Sequence, residues 1–154
     1  MQNRLLPRQI GNHFAAQGPG LWLFGFLLLM KGLQSLAIFF SGNSIVKGAD
    51  GVPLDAFPPD AARTIVAASA ISSLYRLLLC MIGVLALIRY RGIIALLFAV
   101  FAFEYVAKLL ILRFLPLASS GGTPPGPIVN FAIFVIAVVG LVLSLWRRHG
   151  PQGT

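Results

Sequence analysis

The stretch that decides the fold is Ile93–Leu115, IIALLFAVFAFEYVAKLLILRFL, a run with no Gly or Pro whose only charges are Glu104, Lys108 and Arg113. As a helix it spans roughly 35 Å, enough to cross the hydrocarbon core of a bilayer. It is too long and too uniformly apolar for one half-buried face of a soluble domain, so it predicts a membrane span.

Just before it, Arg89-Tyr90-Arg91-Gly92 makes a very short basic turn, and before that turn lies a second apolar run ending at Ile88. So short a connection predicts that these two spans are antiparallel neighbours. On the other side, the Ser-Ser-Gly-Gly-Thr-Pro-Pro-Gly-Pro segment within Leu117–Pro127 cannot continue a helix and must lie outside the hydrocarbon. Pro127 is expected to open the last helix. A first run, Leu21–Phe40, completes the set, and no small-residue cleavage signal follows it, which predicts an uncleaved span. The expectation is an all-α integral membrane bundle of four transmembrane helices, with spans at about 21–40, 62–88, 93–115 and 128–146. Residues 1–20 and 147–154 are then short polar tails. Ser41–Asp60 reads as a loop because Gly42, Gly48, Gly51, Pro53, Pro58 and Pro59 interrupt it, with Asp60 placed to cap the second helix.

Composition agrees, with 58% hydrophobic and 10% charged residues in 154 and a mean hydropathy of +0.88. The net charge of +8 does not form a strip suited to nucleic acid, so no nucleic-acid partner is expected. Arg4 and Arg8, Arg89 and Arg91, and Arg147 and Arg148 would all fall on one side of the membrane. By the positive-inside rule, the protein is expected in a bacterial inner membrane as a multi-pass chain with both termini cytoplasmic, the Trp146-Arg147-Arg148-His149 end included.

Several chemistries are disfavoured. Cys80 stands alone, so neither a disulfide nor a Cys-x-x-Cys pair forms, and His13 and His149 lie in the tails, away from any haem-holding core. Asp50–Asp55 lacks the ligand spacing of a calcium loop, and no phosphate-binding loop, Ser elbow or His-Glu-x-x-His pair is present. No catalytic residue, metal or cofactor is expected. The absence of a 20- to 50-residue period argues against a solenoid or an inverted-repeat transporter half.

The informative residues are the polar ones within spans, because a charge at the bilayer centre costs about 2.5–3.5 kcal/mol on insertion scales unless compensated. Lys31, Arg76, Glu104 and Lys108 fall at similar depth once helix directions alternate. Glu104 and Lys108, spaced i, i+4, are expected to pair within their helix, leaving Lys31 and Arg76 to attract an anion. Gln34 and Ser35 share a stripe with Lys31, and Ser69, Ser72 and Ser73 one with Arg76, so Lys31, Gln34, Ser72, Arg76, Glu104 and Lys108 form the candidate cluster. The plainer use of these charges is to fix helix packing. Gly25 and Gly32 likewise read as packing residues, and Phe98, Phe101, Phe103 and Tyr105 as core or lipid-facing surface. Spacing alone does not assign Asn130 or Tyr105 to the cluster.

The layout from Asp60 to Arg91 has an Arg at the entry of the helix, an apolar run and an Arg-x-Arg turn. Together with Lys31-Gly-Leu-Gln34, it resembles the small DoxX-like four-span bacterial membrane proteins. That resemblance implies a four-helix fold and no particular activity. The residues themselves point to a non-enzymatic membrane protein whose cluster binds a lipid headgroup or small anion. An accessory subunit of a larger membrane complex, or proton- or ion-coupled transport through Glu104, are the alternatives. The expected partners are membrane lipids, other membrane subunits or further copies of the chain.

Overall fold

In a computed structural model, residues 18–116 and 124–146 are described, and they form four long helices: α1 (Pro19–Gly48), α2 (Pro59–Ile88), α3 (Ile94–Phe114) and α4 (Pro125–Trp146). All four are long and apolar enough to cross a membrane, and no strand occurs among the described residues. The expected tail Arg147–Thr154 and nearly all of the N-terminal tail lie outside the described residues.

Prolines set the starts. Pro19, Pro59 and Pro125 each occupy the first helical turn, where the missing N–H has no intrahelical partner to lose. Pro127 was expected to open the last helix, yet it sits inside the first turn of α4, which tolerates it for the same reason. Asp60 does not cap α2. The cap position is Pro58, and Asp60 lies within the first turn, where its carboxylate faces the positive end of the helix dipole.

The largest departure from expectation is α1, which does not stop at Phe40 but continues to Gly48 across a kink at Ser41 (φ −129°, ψ 36°). Gly42 and Gly48 weaken a helix by about 1 kcal/mol each relative to Ala, but packing offsets this. Val46 is buried with Val52 and Leu54 in a small second core against Ile65 and Val66 of α2, and a Cβ on Gly42 would lie 3.2 Å from Val66 Cγ1. The true connection is residues 49–58. It reverses at Gly51, whose φ of +70° suits glycine, and this lets the Val52 N–H donate to the Val46 carbonyl at 3.1 Å.

Residue pairs fix the helix directions. Gly83 meets Leu28 and Gly42 meets Val66, so α1 and α2 run antiparallel. Gly126 N–H donates to the Ala49 carbonyl at 2.9 Å, and Gln34 bonds Asn130, which makes α4 antiparallel to α1. Phe24 meets Phe98 edge to face at 5.0 Å and Lys31 further along α1 bonds Glu104 further along α3, so α3 runs with α1. The bundle is therefore up-down-up-down. α1 packs chiefly on α2 and α4, and α3 on α4, whereas α2 and α3 touch little despite the short turn that joins them.

The main core lies toward the end bearing Arg89 and Arg91, and contains Phe24, Leu27, Ile94, Phe98, Phe101 and Ala137. Lipid supplies no hydrophobic drive between helices, so fit decides the contacts. The decisive glycines are Gly83 and Gly140, where a Cβ would overlap Leu28 and the Phe98 ring respectively. Gly25 and Gly32, read from sequence as packing residues, have room: a Cβ on Gly25 would sit 3.8 Å from Leu87, and one on Gly32 meets nothing within 4 Å. α4 presents a seam of Ile133, Ala137, Gly140 and Ser144 at near-heptad spacing.

Candidate functional site

Lys31 stands twelve residues from the start of α1, Arg76 twelve from the end of α2 and Glu104 ten from the start of α3. At 1.5 Å per residue these positions lie roughly 15–18 Å above the Arg89/Arg91 end, so the alternating directions bring them to one level.

There Glu104 accepts from both neighbours. Lys31 Nζ donates to Oε2, and Arg76 Nε donates to Oε1 at 3.1 Å. The Lys31 side chain is 8% exposed, that of Arg76 20% and that of Glu104 32%. The Lys31 ammonium also lies 5.1 Å from the centre of the Phe101 ring, within cation–π range. One carboxylate from α3 thus ties α1 to α2, and does so at the gap where α2 and α3 hardly meet.

Lys108 does not take up Glu104, as the i, i+4 spacing had suggested. Such a pair on an isolated helix contributes about 0.2–0.5 kcal/mol, whereas cations buried at mid-span carry a desolvation penalty several times larger unless a carboxylate meets them. Lys31 and Arg76 therefore take both oxygens. Lys108 instead lines a small cavity of about 20 Å³ with Lys31, Arg76, Glu104, Tyr105 and Asn130. Three cations then face one carboxylate, a formal excess of two positive charges.

A second polar tier lies one turn further along α1, where Gln34 Nε2 donates to Asn130 Oδ1 at 3.0 Å. Asn130 was not assignable from sequence, because nothing in spacing fixes the register of α4 against α1; its one signal was an amide in an otherwise apolar helix. Tyr105, also unassigned, stacks on Phe134 with centroids 4.7 Å apart. Ser35, fully buried beside this tier, has no hydrogen-bond partner for its hydroxyl among the described residues. Ser72 lies apart from the cluster: it is exposed, and its hydroxyl donates back to the Ala68 carbonyl. Ser69 and Ser73 bond carbonyls of their own helix in the same way, a habit of serine in apolar helices that satisfies the group without a ligand.

Phe98 and Phe101 belong to the core, and Phe103 is exposed. Among the described residues, no three His, Cys, Asp or Glu side chains approach closely enough to hold a metal ion.

Fold and cluster together define a small multi-pass, all-helical membrane protein with a charged node midway along its spans. Comparisons with protein-family models, curated proteins and solved structures found no match.

Proposed function

We propose that this chain is a non-enzymatic protein of a bacterial inner membrane, with both ends in the cytoplasm, whose mid-span cluster holds a small anion. The carrying observation is the charge imbalance: Lys31 and Arg76 saturate Glu104, and Lys108 beside them has no acidic partner among the described residues. An uncompensated cation at this depth is unfavourable by a few kcal/mol, which a bound anion relieves. The cavity holds about one water-sized species, which favours a halide-sized anion over a lipid headgroup. The cytoplasmic ends rest on the basic turn at Arg89 and Arg91. The likeness to small DoxX-like proteins belongs to this same reading.

The test is thermal unfolding of the purified protein in detergent at constant ionic strength, with chloride or bromide replacing gluconate. Halide raises the melting temperature of the wild type, and Lys108→Met removes most of that rise. Identical melting curves in all three anions would sink the reading.

A second reading, an accessory subunit or self-associating chain, is favoured by α3, which buries no residue beyond Phe101. A partner helix laid along Phe103–Leu115 would cover it and meet Arg76 and Glu104 at the α2–α3 gap. Native mass spectrometry of protein extracted gently from its own membranes separates the two, since a stoichiometric partner appears only under the second. Transport coupled to Glu104 requires Glu104→Gln to abolish pH-driven flux in liposomes.

A further inference from the structure

Two apolar grooves run along the outer side of the α1–α2 pair, away from the charged cluster. One, of about 600 Å³, is lined by Leu21, Trp22, Gly25, Phe26, Leu29 and Arg91. The other, of about 500 Å³, continues from the shared Gly25, Leu29 and Leu87 past Gly32 to Leu36. Together they follow α1 from Leu21 to Leu36, roughly 22 Å, which exceeds the depth of one leaflet's hydrocarbon, about half of the ~30 Å core.

The mouth and the floor of this track differ chemically. At the mouth stands Arg91, exposed and just beyond the end of α2, its Nε donating to the Leu87 carbonyl at 3.3 Å. That bond holds the guanidinium over the groove, and its two terminal nitrogens, which have no partner among the described residues, are placed to grip an oxyanion in a fork. Trp22, 82% exposed, flanks it, as an aromatic side chain at a membrane–water interface does. The floor is made by Gly25 and Gly32. Neither lacks a side chain because a neighbouring helix presses on it, since a Cβ would fit at both. Their effect is to deepen the groove.

We infer that this track is a binding site for an anionic phospholipid of the leaflet on the Arg91 side, its phosphate on Arg91 and one acyl chain laid over Gly25 toward Gly32. A zwitterionic lipid fills the same groove but leaves part of the cation's attraction unused. The site is independent of the anion cluster, shares none of its residues, and stands or falls separately.

Trp22 makes the site observable. In a Trp146→Phe background it is the sole tryptophan, and the protein is reconstituted in phosphatidylcholine vesicles doped with acyl-brominated phosphatidylglycerol or acyl-brominated phosphatidylcholine. Brominated phosphatidylglycerol quenches Trp22 saturably and at lower mole fraction than its choline counterpart. Arg91→Gln, a change at an exposed position, weakens the phosphatidylglycerol response about five-fold, the share of one interfacial cation, and erases the headgroup preference. Gly25→Leu abolishes saturable quenching by both lipids while far-UV circular dichroism stays that of the wild type. Equal quenching by the two headgroups overturns the proposal, and so does a preference that survives Arg91→Gln. A second copy of the chain in the groove would instead give cross-linked dimers and quenching that falls as the protein-to-lipid ratio rises, which also overturns it.

Discussion

Replacing Glu104 with Gln keeps the shape and one oxygen acceptor but removes the only negative charge at the node. With Arg76 Nε 3.1 Å from Oε1 and an effective dielectric near 20, the gross attraction of that pair is roughly 5 kcal/mol. Lys31, better buried, adds a second attraction of similar kind. The retained amide oxygen and some water penetration return part of this, so Glu104→Gln is expected to destabilise the bundle by about 3 kcal/mol, at the lower end of what breaking a buried pair costs. A double-mutant cycle isolates the interaction from incidental packing changes. Lys31→Met alone removes one of Glu104's donors and is destabilising. In the Glu104→Gln background the same substitution removes an unmatched cation, and is neutral or stabilising. Unfolding by sodium dodecyl sulfate in mixed micelles, followed by far-UV circular dichroism, gives the four free energies. A coupling of about 2 kcal/mol or more between the two sites is expected; if the two substitutions instead add to within about 0.5 kcal/mol, the node does not hold the helices together.

Gly140→Ala forces a methyl group into the Phe98 ring and should destabilise by about 1–3 kcal/mol in the same assay. Gly83→Ala should lose less because the Leu28 side chain can turn aside, while Gly32→Ala should be near neutral or slightly stabilising. Gly126→Ala places a Cβ 2.6 Å from the Ala49 carbonyl oxygen; hydrogen exchange at the amide of position 126, corrected for the change of residue, and at the Val52 amide should quicken while the melting temperature changes little, and unchanged exchange would mean the α1–α4 junction does not depend on that close approach. Gln34→Leu strips the Asn130 amide of its partner, and a loss near 0.6 kcal/mol, at most about 1.7, is expected from interhelical hydrogen bonds in membranes; a larger loss would mean that the tier also supports the charged node below it.

The four spans were legible because a bilayer-length apolar run has few other uses, and the levels of Lys31, Arg76 and Glu104 followed from counting residues along alternating helices. What could not be read was which partner a charge takes. The i, i+4 rule sees one helix, whereas Glu104 is claimed by two others, α1 and α2, whose mutual rotation depends on Gly83 against Leu28. The end of α1 was hidden for a related reason: Gly42 and Gly48 are helix-weakening alone, and only the distant Ile65 and Val66 make their helix worthwhile. Gln34 and Asn130 meet because the Ala49–Gly126 hydrogen bond sets how far α4 slides along α1, and no local pattern encodes that offset.

The uneven contacts between helices bear on how the chain is made. α1 with α2 and α3 with α4 are two hairpins, each with an extensive internal interface, joined by α1 against α4, by Phe24 against Phe98 and Phe101, and by one carboxylate reaching across. Each hairpin can enter the membrane as a unit as it leaves the ribosome, and the Arg89–Ile93 link between them then serves delivery more than architecture. Two separately synthesised halves, cut within that link, should find each other in the bilayer and rebuild the whole, with Glu104 recognising the half that carries its cations.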